Sequence, residues 1–228
     1  MNYIAIAALA LSVCSFGFSF FTTKYYTNPE RVYNSIIKNM ESKQKKQVEE
    51  VKEKAAKYIE KNYDSIVANS PVYGDVNAKY TIVQFSDYNC GYCKAAHQYL
   101  AGVVAKRPDI KIVVKELPIL GKESADAAKV ALFIYQKSPS KYQQFHTKML
   151  SSKARESAVK VAVSLGFKDA EIKAAIANTQ FDGDLKANYK IATELGIGGT
   201  PSFIVGQEFV PSFMPPEQFD AVIEKNFK

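Results

Sequence analysis

No run of five or more like charges occurs in the sequence, although basic residues outnumber acidic ones 30 to 23 and the formal net charge is +7. Interspersed signs of this kind supply no basic tail for nucleic acid, and the excess leaves only a slight bias toward acidic partners or anionic surfaces. Internal repeats and low-complexity tracts are also missing. So is a second cysteine pair: the three cysteines are Cys14, Cys90 and Cys93, and His97 and His146 do not complete a zinc knuckle around one Cys-x-x-Cys. What is present excludes disorder as the main state, since 47% of the 228 residues are hydrophobic and 23% are charged. Such a length holds one full domain and a helper segment, with enough chain to bury a core.

Charge is absent altogether from Tyr3 to Phe21, an apolar stretch of 19 residues, long for a signal core and just sufficient to span a bilayer. Residues 1–27 are therefore expected to be a signal peptide or a membrane anchor. Gly17 and Ser19 offer a cleavage site before Phe20, whereas Leu11-Ser12-Val13-Cys14 is a poor lipid-attachment box because Val13 is bulky and apolar residues continue beyond the cysteine. A buried core helix is the plainer reading, but nothing polar marks a solvent face. Lys24 and Arg31 follow the apolar run, so the positive-inside rule does not settle orientation.

Glycine is missing between Asn28 and Ala68, a charged segment with Val48, Val51, Ala55 and Tyr58 three and four apart. That is helical periodicity, with Asn28 as cap and Pro29 in the first turn. The apolar stripe is thin. Residues 28–70 are thus expected to form a helical stalk, either solvated or meeting the same stripe of a second copy through residues 28–68. Ser70 to Asp75 reads as a loop and boundary, opening a domain over 71–228. Tyr80 to Phe85 is an apolar, β-branched run of strand length, Cys90 to Lys106 has helical spacing, and Ile110 to Leu117 is a second strand stopped by Pro118. This order implies a parallel pair with a crossover helix. Residues 121–196 read as a helical insert, broken at Ser138-Pro139, Gly166 and Asp182-Gly183-Asp184. Ser202 to Val205 and Phe209-Val210 follow as strands around a Gly206-Gln207-Glu208 turn, and Pro216 to Asn226 as a closing helix. The fold class is α/β.

The chemistry lies at one strand-to-helix junction, Cys90-Gly91-Tyr92-Cys93. A sulfur at a helix amino terminus meets unpaired backbone N–H groups and the positive end of the helix dipole, both favouring thiolate. Cysteines so placed titrate at roughly 3.5 to 7.5, against about 8.5 for a free thiol. Cys90 is then the attacking sulfur, and Cys93, one turn further in and less exposed, resolves the mixed disulfide. A purely structural disulfide here would close so short a loop that it constrains the unfolded chain very little. A copper-handling pair is an alternative, because thiols near a histidine suit Cu(I). His97, four residues after Cys93, either tunes the thiol or edges a groove, and His146 reads as a packing or surface residue.

These residues resemble the thioredoxin-fold disulfide oxidoreductases of the bacterial envelope, the DsbA-like group with a helical insert. The resemblance runs from about Val72 to the carboxyl terminus and is carried by Phe85-Ser86-Asp87-Tyr88-Asn89-Cys90-Gly91-Tyr92-Cys93, Lys115-Glu116-Leu117-Pro118-Ile119 and Gly198-Gly199-Thr200-Pro201-Ser202-Phe203. It implies a thioredoxin fold with the insert, preceded here by the stalk, and a protein thiol-disulfide oxidoreductase or isomerase needing no cofactor or metal. It further implies a cis bond before Pro201, beside the cysteines, with Thr200 offering backbone to an extended substrate. The Gly91-Tyr92 dipeptide and the threonine before proline look more like the DsbC isomerases than like DsbA. Many members place a buried carboxylate at the position of Gln84, which cannot titrate. Either water exchanges the proton of Cys93 or Glu116 does so, the plain alternative being that Glu116 is a strand-end surface acid. Implied partners are exported proteins carrying thiols or disulfides and a separate redox partner, in the periplasm or cell envelope, with residues 3–21 as an inner-membrane anchor if uncleaved. The rival function is a copper-handling or scaffold protein.

Overall fold

The computed structural model describes residues 29–152 and 155–228. The expectations about the apolar opening stretch, Cys14 and the Asn28 cap lie outside the described residues. Among the described residues no helix is long and apolar enough to cross a membrane. The chain divides into two units, Met1–Glu50 and Val51–Lys228, and the cysteine pair belongs to the second.

Helix α1 runs over Pro29–Val67. In the first unit its apolar side chains Val32, Tyr33, Ile36 and Met40 are exposed. In the second unit Ala55, Ile59 and Ile66 are fully buried, clustered with Val83, Phe85, Val113 and Ile204. The compact unit thus starts well before the boundary expected at residue 71, because the later part of the stripe has a sheet face to cover. Lys115 anchors the end of this stretch, its Nζ donating to Ser70 Oγ at 2.8 Å.

Five strands form one sheet in the order β1-β3-β2-β4-β5: β1 (Val72–Tyr73), β2 (Tyr80–Ser86), β3 (Ile110–Glu116), β4 (Ser202–Val205) and β5 (Glu208–Val210). β2 and β3 are parallel, with Tyr80 opposite Ile110 and Ser86 opposite Glu116. Helix α2 (Gly91–Lys106) makes the crossover between them. β4 lies antiparallel to β2, placing Ser202 opposite Phe85, and turns into β5 at Gly206, whose φ is +61°. β1 was not legible as a strand. Val72 and Tyr73 pair with Val113 and Ile112, but two residues are too few to show alternation.

One sheet face packs Ile82, Ile112 and Phe203 against Leu100 of α2 and Phe219 of the closing helix α8 (Pro216–Asn226). The insert comprises α3 (Lys122–Lys137), α4 (Pro139–Ser151), α5 (Ala158–Ser164), α6 (Asp169–Ala177) and α7 (Thr179–Glu194). Its core of Val130, Ile134, Tyr142, Phe145 and Met149 is continuous with Tyr88, Cys90 and Cys93. The insert therefore covers the cysteine loop.

Candidate active site

β2 ends at Ser86, and a short turn delivers Cys90 to the N-cap of α2 in extended conformation, φ −81° and ψ 121°. Asp87 organises that turn. Its buried carboxylate accepts from the backbone N–H of Asn89 at 2.8 Å and of Leu120 at 3.0 Å, and its carbonyl accepts from the N–H of Cys90 at 3.1 Å. Asn89 Nδ2 donates to Ser124 Oγ at 2.9 Å, tying the turn to α3.

Both cysteines are reduced. Cys90 is 8% exposed and Cys93 is fully buried. The Cys90 thiol is lowered to about 5: a hydrogen bond from Cys93 contributes most, the Thr200 side chain and the backbone N–H groups of Cys93 and Tyr92 add to it, and partial burial opposes. Burial pushes the Cys93 thiol up, and the proton it shares with Cys90 pushes it further. The amide of Asp87 donates to Cys93 Sγ at 3.5 Å. In its neutral form Cys90 donates to the Thr200 carbonyl at 3.2 Å. The Thr200–Pro201 peptide bond is cis. Thr200 Oγ1 is buried with no hydrogen-bond partner within ordinary range, yet it lies near enough to help lower the Cys90 thiol.

Beside the sulfur is a groove of about 370 Å³, lined by Tyr92, Gly198, Gly199, Thr200, Pro201 and Phe213 among others. Tyr92 is 75% exposed, and nothing lies within 4 Å of where a Cβ on Gly91, Gly198 or Gly199 would stand. The groove is open, apolar and bordered by backbone, a shape that admits an extended chain.

The remaining candidates fall into the interior. Gln84 is buried, its Nε2 unpartnered, opposite Val114 and Phe203. Glu116 is no surface acid. It is fully buried, its carboxyl group is held far above the ordinary range by burial, and the hydroxyl of Tyr88 donates to its Oε1 at 2.9 Å. Its partner is thus a phenol rather than a sulfur. His97 edges no groove: it is buried, its ring 5.3 Å from that of Tyr73 and 5.1 Å from that of His146, and burial lowers it to about 4. His146 is a packing residue rather than a surface one, also buried and lowered well below the usual range. Sequence reasoning gave no role to Asp87, Tyr88 or Phe213. A polar residue three before the first cysteine is a usable signal for Asp87, whereas Tyr88 and Phe213 acquire their neighbours from distant elements.

The thioredoxin family model matches residues 65–225, well over half of the chain. The chain belongs to the thioredoxin family. Among its thioredoxin-family relatives is the disulfide bond formation protein D of Bacillus subtilis, 22% identical over 175 residues that cover 71% of this chain and 79% of that one. The thiol:disulfide interchange protein DsbC of Escherichia coli is 25% identical over 175 residues, 75% of this chain and 62% of that one. Among solved structures, the catalytic domain of Proteus mirabilis ScsC superimposes with a TM-score of 0.67 at 26% identity, covering 75% of this chain and 97% of the other. This thioredoxin-family chain is a bacterial thiol-disulfide oxidoreductase, an enzyme acting on thiols or disulfides. The copper reading is not favoured, since the relatives are disulfide bond formation and thiol:disulfide interchange proteins.

Proposed function

We propose that Cys90 and Cys93 are the redox pair of this oxidoreductase, with Cys90 as nucleophile and Cys93 as resolving thiol. The observation that carries this is the opposite displacement of the two thiols, Cys90 down to about 5 and Cys93 up. The Cys90 thiolate attacks one sulfur of a substrate disulfide, forming a mixed disulfide and releasing the other sulfur as thiolate. Cys93 then gives up its proton and attacks Cys90 Sγ, which releases the second substrate thiolate and leaves the Cys90–Cys93 disulfide. Run backward, the same steps oxidise a substrate dithiol. Stabilising the Cys90 thiolate stabilises the reduced enzyme, so its disulfide is an oxidant and the backward direction is favoured.

Substrates are exported proteins, held in extended form along the groove with their backbone at Thr200 and Pro201 and the dipeptide Gly91-Tyr92 alongside. The location is the periplasm or envelope, reached through residues 1–27 as signal or anchor, and a separate redox partner resets the pair. Residues 28–68 associate with a second copy through the exposed Val32, Tyr33, Ile36 and Met40. Such an assembly places several sites around one substrate, which suits disulfide isomerisation.

The test is insulin reduction, recovery of scrambled ribonuclease and equilibration with glutathione, together with Cys93→Ala as a trap. The reading requires that Cys90→Ser abolish all exchange and that Cys93→Ala accumulate mixed disulfides through Cys90. A Cys90→Ser protein with wild-type exchange would remove Cys90 as the nucleophile, and a Cys93→Ala trap that captures no protein while copper copurifies one-to-one would replace this reading with the metal-handling one.

A further inference from the structure

Tyr88 stands two residues before Cys90 inside an apolar cluster, its ring edge-on to Phe145 with centroids 5.7 Å apart. A phenylalanine would fill that space as well. The hydroxyl instead reaches two elements at once, donating to Glu116 Oε1 of β3 at 2.9 Å and lying 3.0 Å from His146 Nδ1 of α4. The hydroxyl of Tyr142 lies 3.2 Å from the same nitrogen. With one phenolic proton, Tyr88 satisfies both contacts by donating to the carboxyl oxygen and accepting from an imidazole Nδ1–H. Asn188 Nδ2 donates to the Glu116 carbonyl at 3.0 Å, which fixes the strand end from α7.

Burying a carboxyl and an imidazole in an apolar core is costly, and no stability argument calls for them here. Burial keeps both neutral, raising Glu116 and lowering His146. The other groups around them are Tyr142 on α4, His97 on α2 and Asp87 in the turn itself. What a neutral hydrogen-bonded cluster supplies is position rather than charge. The residue before Tyr88 is the one that meets the cysteine pair: the Asp87 amide donates to Cys93 Sγ and the Asp87 carbonyl receives the Cys90 N–H.

We propose that Tyr88 is a positioning residue for thiol exchange: its hydroxyl, held between Glu116 of the sheet and His146 of the insert, fixes the turn that seats Cys90 at the amino end of α2. Through this hydroxyl the insert acts on the acidity of the nucleophile by way of the turn that carries it. This inference rests on Cys90 being the nucleophile.

The test is titration of the thiolate by its ultraviolet absorbance in the reduced full-length chain, with the glutathione equilibrium measured alongside. Tyr88→Phe keeps the ring and removes the hydroxyl. It is expected to raise the Cys90 midpoint by about one unit, a tenfold loss of thiolate below the midpoint, and to shift the glutathione equilibrium about tenfold toward the oxidised enzyme. His146→Leu should do the same, His146→Gln should restore most of the effect by keeping an amide near the phenol, and Glu116→Gln, a neutral isostere, should leave the midpoint in place. A folded Tyr88→Phe protein with the wild-type midpoint overturns the inference. Should that variant not fold, equal midpoints for His146→Leu and His146→Gln overturn it instead. Slower exchange in Glu116→Gln at an unchanged midpoint would assign Glu116 an acid–base role and overturn the positional account. A wild type without thiolate near neutral pH sinks the nucleophile assignment itself, a separate outcome.

Discussion

The carbonyl oxygen of Thr200 lies 3.2 Å from the sulfur of Cys90, 110 positions away along the chain. A substrate strand that pairs with the backbone at Thr200 would therefore pass Cys90, the proposed nucleophile. On the proposed reading, recognition at Thr200 and reaction at Cys90 meet where two loops approach each other, and the residue that offers the backbone also lowers the thiol through its side chain.

Thr200→Val tests that second contribution. The hydroxyl is buried and has no other partner, and it lowers the Cys90 thiol. Replacing it with a methyl is expected to raise the Cys90 midpoint and slow alkylation on the acid side, with the fold intact by circular dichroism. Identical alkylation profiles for the two proteins would remove the hydroxyl from the account.

The pH dependence of labelling follows from the two sulfurs. With Cys90 at about 5, about 99% of it is thiolate at neutrality, so the iodoacetamide rate should be flat there and drop about tenfold per unit well below the midpoint. Cys93, raised by burial, should stay unlabelled in the native protein. Peptide mass spectrometry distinguishes the sites, and preferential labelling of Cys93 would reverse the roles.

Acid should loosen the fold through its buried histidines. His97 titrates near 6.5 when free and at about 4 in the fold, so between those values the unfolded chain binds the proton and the folded one does not. Stability is complete above about 6.5 and falls as pH drops toward about 4, by at most about 3 kcal/mol. His146, also lowered by burial, acts in the same direction. His97→Met should move the acid unfolding midpoint to lower pH. A midpoint that moves up, or stays, contradicts the buried neutral imidazole.

The two parts of α1 should respond differently to mutation. Ile59 is fully buried, so Ile59→Ala is expected to cost about 2 to 5 kcal/mol and lower Tm in thermal denaturation. Ile36 is exposed, so Ile36→Ser should leave the melting of the catalytic unit unchanged while lowering the mass seen by light scattering. An unaltered mass would remove self-association through this stretch.

Much of the fold was legible because its signals are local. The β-branched run at Tyr80, the closing helix at Pro216 and the helix breaks at Ser138 and Gly166 each depend on neighbours within a turn or two. One strand and the burial of one helix half escaped. β1 is too short for a period, and the buried half of α1 looks like its exposed half because Val51 and Ala55 continue the spacing of Val48; which residues find a sheet to cover is not a property of that spacing. Glu116 was the hardest to read, since a glutamate at a strand end is ordinarily solvated, and its burial comes from distant neighbours such as the Tyr88 turn and Asn188 of α7.

By itself the sequence determined that a cysteine pair would stand at the start of a helix after a strand, since an apolar run, a turn and a helical period are written in consecutive residues. Tertiary structure alone decided what surrounds those sulfurs and the turn that carries them. Thr200, Glu116 and His146 come from β4's approach, β3 and the insert, and the energies that shift a thiol or bury a carboxyl act across a few ångströms of space, whatever the separation along the chain.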